Sequence, residues 1–172
     1  MPARSPSTAL SQRLGPLAAI VALLVSCISP TQAQAQAGPA GTRADIERGR
    51  YLVKIGGCND CHTPGYAARN GEVEEKLWLT GDKLGWSGPW GTTYPANLRL
   101  LLAGMSQEQW IKHARTMTPR PPMPWFNVRA MTDEDLKAIY QFTRSLGSGG
   151  EAAPDFLPPG NKPAGPVVQF PG

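Results

Sequence analysis

The sequence predicts an all-α fold of about three main helices joined by long loops, on three observations. Three segments place apolar residues at helical spacing behind a side chain able to cap the first turn. No run alternates apolar and polar residues convincingly with the period of a strand. The stretches between and after the helices are dense in glycine and proline, which interrupt regular structure.

The chain begins with a segment that reads as an export signal. Arg4 and Arg13, with no acid, precede an apolar run from Leu14 to Val25, too short to span a bilayer. The small-residue series Ala33, Ala35 and Ala37 offers cleavage after Ala35 or Ala37, so residues 1–37 are assigned to a signal peptide. Leu24-Val25-Ser26-Cys27 also has the form of a bacterial lipoprotein signal, in which Cys27 becomes a lipidated first residue and a membrane tether. Loss of residues 1–37 takes two from the formal net charge of +4 and leaves +2, too weak a field to argue for nucleic acid or an anionic membrane. About 135 residues remain, the size of one domain.

The first helix is expected over 44–55. Thr42 and Asp45 have the spacing of a capping box, Ile46, Gly49 and Val53 share a face, and Gly56-Gly57 ends it. The second, over 107–116, has Ser106 as its N-cap and Gln109 completing the box, with Trp110, Ile111 and Ala114 turned inward. The third runs over 133–146 from Thr132. Asp133, Glu134 and Asp135 lie on the positive end of its dipole, Leu136, Ile139, Tyr140 and Thr143 form its stripe, and Gly147 stops it.

Trp78, Trp86 and Trp90 lie in the long connection between the first two helices, among Gly81, Gly85, Gly88 and Gly91. Three indoles are hard to bury in a three-helix protein unless a large flat group lies beneath them. Residues 147–172 hold six prolines and six glycines, a composition that argues against regular helix or sheet and for an extended tail. Phe156, Leu157, Val167, Val168 and Phe170 can order that tail only by docking, on this domain or on a partner.

The chemistry concentrates in Cys58-Asn59-Asp60-Cys61-His62, which holds two of the chain's three cysteines and one of its two histidines. C-x-x-C-H is the attachment signal of c-type haem: two thiols reach one edge of the porphyrin and the following imidazole ligates the iron. Two other chemistries use such residues. A thioredoxin-like redox pair is expected near a βαβ pattern, which is missing here, and a zinc site of Cys58, Cys61, His62 and His113 would need adjacent residues to ligate together.

From 44 to 146 the chain resembles the small monohaem c-type cytochromes of the class I kind. The resemblance is carried by Glu47-Arg48-Gly49-Arg50-Tyr51-Leu52 leading into the Cys58–His62 motif, by Pro121-Pro122-Met123-Pro124, and by Thr132-Asp133-Glu134-Asp135-Leu136-Lys137-Ala138-Ile139-Tyr140. Gly88-Pro89-Trp90-Gly91 and Tyr94-Pro95-Ala96-Asn97-Leu98 are similar to stretches in the cytochrome c domains of bacterial periplasmic dehydrogenases. After Leu98 the chain departs from that pattern, lacking the Thr-Pro-Asp and Gly-Ile-Gly pieces. The resemblance implies a cytochrome c-like fold over residues 38–146, with its helices around one covalently attached haem.

Met123 is the candidate for the iron's other face. It alone among Met105, Met117, Met123 and Met131 is held between prolines, whose fixed φ stiffens a loop carrying a weak thioether ligand, and it precedes the last helix as the family's ligand does. Met117 is the runner-up and His113 a nitrogen alternative, while Met105 and Met131 read as packing residues. With His62 and Met123 both bound the iron keeps no open position, so the expected function is a periplasmic single-electron carrier and not an enzyme. Its expected partners are redox proteins: a periplasmic dehydrogenase as donor, and an oxidase or another cytochrome as acceptor in a respiratory chain. The alternative is a haem enzyme or gas sensor whose sixth position is open or labile. The His62 nitrogen facing away from iron should donate to a backbone carbonyl, and the resemblance points to the loop around Pro95. Trp90, Tyr94 and Asn97 are candidate donors to the haem propionates, and Gly49 and Tyr51 are expected to meet Leu136 and Tyr140 where the first and last helices cross.

Overall fold

A computed structural model describes residues 41–171. The segment assigned to the signal peptide, with Cys27, lies outside the described residues. Six α-helices are present among them: α1 (Arg43–Ile55), α2 (Cys58–His62), α3 (Leu98–Ala103), α4 (Gln107–Thr116), α5 (Trp125–Ala130) and α6 (Asp133–Ser145). The three helices expected from the sequence are α1, α4 and α6. Thr42 accepts from the Asp45 amide and Ser106 from the Gln109 amide, each in a reciprocal capping box, and Thr132 accepts from the Asp135 amide. No membrane-spanning length of apolar helix occurs among the described residues.

α1 and α6 cross at Gly49. A Cβ there would lie 2.0 Å from the Ala138 carbonyl oxygen and 2.6 Å from the Phe142 Cβ, so the two backbones approach as only glycine permits. The partners are therefore Ala138 and Phe142 where Leu136 and Tyr140 were expected, and Tyr51 is 60% exposed, outside the crossing. Val53, Leu136, Ile139 and Phe142 form the centre of the core. Trp110 Nε1 donates to the Leu136 carbonyl at 2.9 Å and Tyr140 Oη to that of Met105 at 2.8 Å, tying α6 to α4 and to the chain just before it.

The described residues are mostly helical, as expected, and a small sheet that the all-α expectation did not include accompanies the helices. β1 (Gly85–Gly88) pairs antiparallel with β2 (Gly91–Thr93) through the Pro89-Trp90 turn, and parallel with β3 (Val167–Gln169), in the order β2-β1-β3. Strands of three and four residues, three of them glycines in β1 and β2, are too short to display a period of two. What stabilises them is the open ladder of the neighbour, which any extendable backbone can fill. For the same reason the tail, expected to lack sheet, contributes β3. It docks on this domain, with Leu157 bridged to Thr92 and the Phe170 amide donating to the Ser87 carbonyl at 2.8 Å.

The tail's root is clamped by Arg99, which is 7% exposed. Its guanidinium donates to the Gly147 carbonyl at 2.7 Å and to that of Leu146, so it meets the negative end of α6 while Gly147, at φ +69°, turns the chain away.

Candidate functional site

Gly56 caps α1, and Gly57, at φ +68°, swings the chain directly into α2. The motif is then bolted down from its polar side. Asn59 is fully buried and its Oδ1 accepts from the Thr63 hydroxyl at 2.8 Å; Thr63 Oγ1 in turn accepts from the Leu79 amide at 2.8 Å, and the His62 carbonyl accepts from the Gly81 amide at 2.8 Å. Two segments 16 and more residues apart thus fix the orientation of α2.

His62 is buried, and its Nδ1 lies 2.7 Å from the Ala96 carbonyl oxygen. A carbonyl only accepts, so the proton belongs on Nδ1 and Nε2 keeps its lone pair. Burial pushes the imidazole pKa below its ordinary value, partly offset by this hydrogen bond, which favours the neutral ring with its Nε2 lone pair available. The acceptor is the residue after Pro95, within the loop expected to supply it.

His62 and Cys61 line a cavity with Met123, which arrives from the loop between α4 and α5. The cavity encloses about 270 Å³ and opens to solvent. Pro95, Pro122 and Phe156 give it apolar walls; Trp86, Tyr94 and Arg120 bring polar groups. The loop bearing Met123 is tied to β2, because the Thr93 hydroxyl donates to the Pro121 carbonyl at 2.8 Å, and it is tied to α5 where Arg129 Nη2 donates to the Met117 carbonyl at 2.7 Å.

The remaining candidates are elsewhere. Met117 caps α4, Met131 packs against the core, the Met105 carbonyl accepts from Tyr140, and His113 stacks near Trp110 with ring centroids 6.3 Å apart; none of these lines the cavity. Cys58 packs against the core beside the cavity residues and is not among its walls. Both thiols are free, and burial raises both, that of Cys58 to about 11. Among the described residues no three His, Cys, Asp or Glu side chains are grouped to hold a metal ion, so the four zinc ligands considered above are not assembled.

The three indoles separate. Trp78 is buried in the protein core, edge-on to Tyr66 and Phe142, with Nε1 donating to the Val73 carbonyl at 2.9 Å; it needs no flat group beneath it. Trp90 packs on Phe170 away from the cavity wall, and Asn97 caps α3 and donates to the Gly149 and Glu151 carbonyls. Of the three candidate propionate donors only Tyr94 lines the cavity. Trp86 does so as well, and its Nε1 is buried without a hydrogen-bond partner among the described residues. An orphaned buried donor in a cavity that a guanidinium also lines suits an anionic group, and with an imidazole, a thioether and apolar walls the chemistry of the lining fits a haem. Trp86 and Arg120 had only weak signals in sequence: one of three indoles in a glycine-rich loop, and a cation in the same proline-stiffened run as Met123.

Comparison of the chain with family models, with curated proteins and with solved structures finds no match.

Proposed function

We propose that the chain is a c-type cytochrome, exported to the periplasm, which carries single electrons between redox proteins. The observation that carries this reading is the convergence of Cys61, His62 and Met123, up to 62 positions apart, on one cavity, with the His62 Nδ1 proton engaged by the Ala96 carbonyl. Haem c bound there would supply a one-electron Fe(III)/Fe(II) couple.

Each residue then has a defined task. Cys58 and Cys61 are the thiols that would form the covalent links, each S–H adding across one vinyl group. His62 would hold the iron through Nε2, and the Ala96 hydrogen bond fixes its ring and strengthens its basicity. Met123 would hold it through its thioether, a soft donor that would favour the reduced metal and raise the potential. Trp86 Nε1, Tyr94 and Arg120 are placed to meet carboxylates. Apolar walls would limit the water around a bound haem and help keep the ligands still between oxidation states. With two protein ligands on the metal, small molecules would have no open position, which favours an electron carrier over an enzyme or sensor. The donor would be a periplasmic dehydrogenase and the acceptor an oxidase or another cytochrome.

Intact mass and a pyridine haemochrome spectrum of the secreted protein test this directly. The mass of one haem above the polypeptide is expected; a protein weighing no more than its amino acids overturns the reading.

A further inference from the structure

The tail has the composition of a disordered linker, and ordering such a chain costs about 1–2 kcal/mol per residue. Its docked path is nonetheless met by receptors built into the rest of the chain. Asn97 Nδ2 donates to the Gly149 carbonyl at 2.8 Å and to the Glu151 carbonyl at 3.1 Å. Thr92 and Leu157 exchange backbone hydrogen bonds of 2.8 and 3.0 Å. Gly91 allows this approach: it sits at φ +101°, and a Cβ there would lie 2.2 Å from the Leu157 carbonyl oxygen. Farther on, β3 lies along β1, and the Phe170 ring sits 6.0 Å from that of Trp86 and 5.4 Å from that of Trp90.

Between the anchors at Glu151 and Leu157, Pro154 and Phe156 enter the cavity wall. The Phe156 ring is covered by the Arg120 guanidinium at 3.7 Å, a cation–π contact that joins the tail to the loop carrying Met123. We propose that the tail is a structural wall of the site, with Phe156, held by Arg120, as the side chain that narrows the cavity and slows the entry of small neutral ligands of the metal. This rests on the reading of the cavity as a haem site. The segment whose composition looks dispensable then sets which molecules reach the cofactor.

The test uses the full-length secreted protein, Phe156→Ala, Arg120→Gln, and a chain ended after Gly150. Intact mass first reports whether the cofactor is attached, which scores the functional reading separately. On the loaded proteins the rate of imidazole binding to the oxidised form is then measured, with hydrogen exchange at the Thr92, Leu157 and Phe170 amides. Wild type should protect these amides, and Phe156→Ala should bind imidazole about tenfold faster, as the open population rises with the lost contact. The truncated chain should bind at least as fast as Phe156→Ala, and Arg120→Gln should fall between that variant and wild type. Binding by Phe156→Ala within about twofold of wild type, or unprotected wild-type amides, overturns the wall. Should no added mass be found, the functional reading fails. The wall is then scored by the alkylation rate of Cys61, which faces the same cavity; a rate unchanged by Phe156→Ala overturns it, and a clear rise supports it.

Discussion

His62 Nδ1 lies 2.7 Å from the carbonyl oxygen of Ala96, a residue 34 positions further along the chain. That contact decides which ring nitrogen carries the proton and so which one can bind a metal. It also joins α2 to the loop that leads from β2 into α3. The motif and the chain leaving the sheet are thereby joined, and four predictions follow from these parts, from the helix packing and, where they concern a metal, from the proposed haem.

With haem held as proposed, Met123→Ala should leave covalent attachment intact while removing the thioether ligand. The reduced protein should then bind carbon monoxide, which wild type should not. The midpoint potential should fall by a sizeable part of the roughly 0.8 V range that axial ligands govern. Redox titration and difference spectra check both.

Thr93→Val removes the hydroxyl that donates to the Pro121 carbonyl and leaves that acceptor to water. The expected cost is about 1 kcal/mol of stability. The more telling effect is on Met123, two residues beyond Pro121. Carbon monoxide should compete with the thioether detectably in this variant, though less than in Met123→Ala.

Gly49→Ala should be among the most damaging single-methyl changes in the chain, since the new Cβ would fall 2.0 Å from the Ala138 carbonyl oxygen on a neighbouring helix backbone. α1 and α6 must separate to admit it. A loss of about 3 kcal/mol in urea unfolding is expected.

The Asp135 carboxylate accepts from Arg48 Nε at 3.0 Å while the Asp135 amide donates to Thr132 Oγ1 at 3.1 Å, and the Arg48 contact foremost holds the carboxyl below its ordinary value of 3.8. The folded state therefore binds fewer protons than the unfolded state in acid. Its contribution is present above about pH 4 and is lost as the pH falls through the depressed folded value. Asp135→Asn should start from lower stability at neutral pH and show a shallower decline below pH 4 in acid unfolding.

Much of the helical frame was legible in advance, because Thr42 with Asp45, Ser106 with Gln109, and Thr132 are local signals acting within four residues. The shorter helices α3 and α5, six residues each, carry no such length of pattern, although Asn97 accepts from the Leu100 amide as an N-cap. The sheet was not legible, since its strands exist only through one another. Trp78, Trp86 and Trp90 looked alike in sequence, and one joined the core, one the cavity and one the tail.

By itself the sequence determined what is local or chemically obligatory: the capped helices, the glycine at the α1–α6 crossing, the crowding of two thiols and an imidazole in five residues, and a methionine stiffened by prolines. Only the tertiary structure decided that Met123 and His62 share a cavity, that the Ala96 carbonyl sets the His62 tautomer, and that a proline-rich tail lies across Thr92 and beside Arg120. The division has a physical cause. Capping and backbone stiffness act over one or two turns of chain, whereas a cavity wall, a ladder edge and an unpartnered donor come into being when distant segments meet.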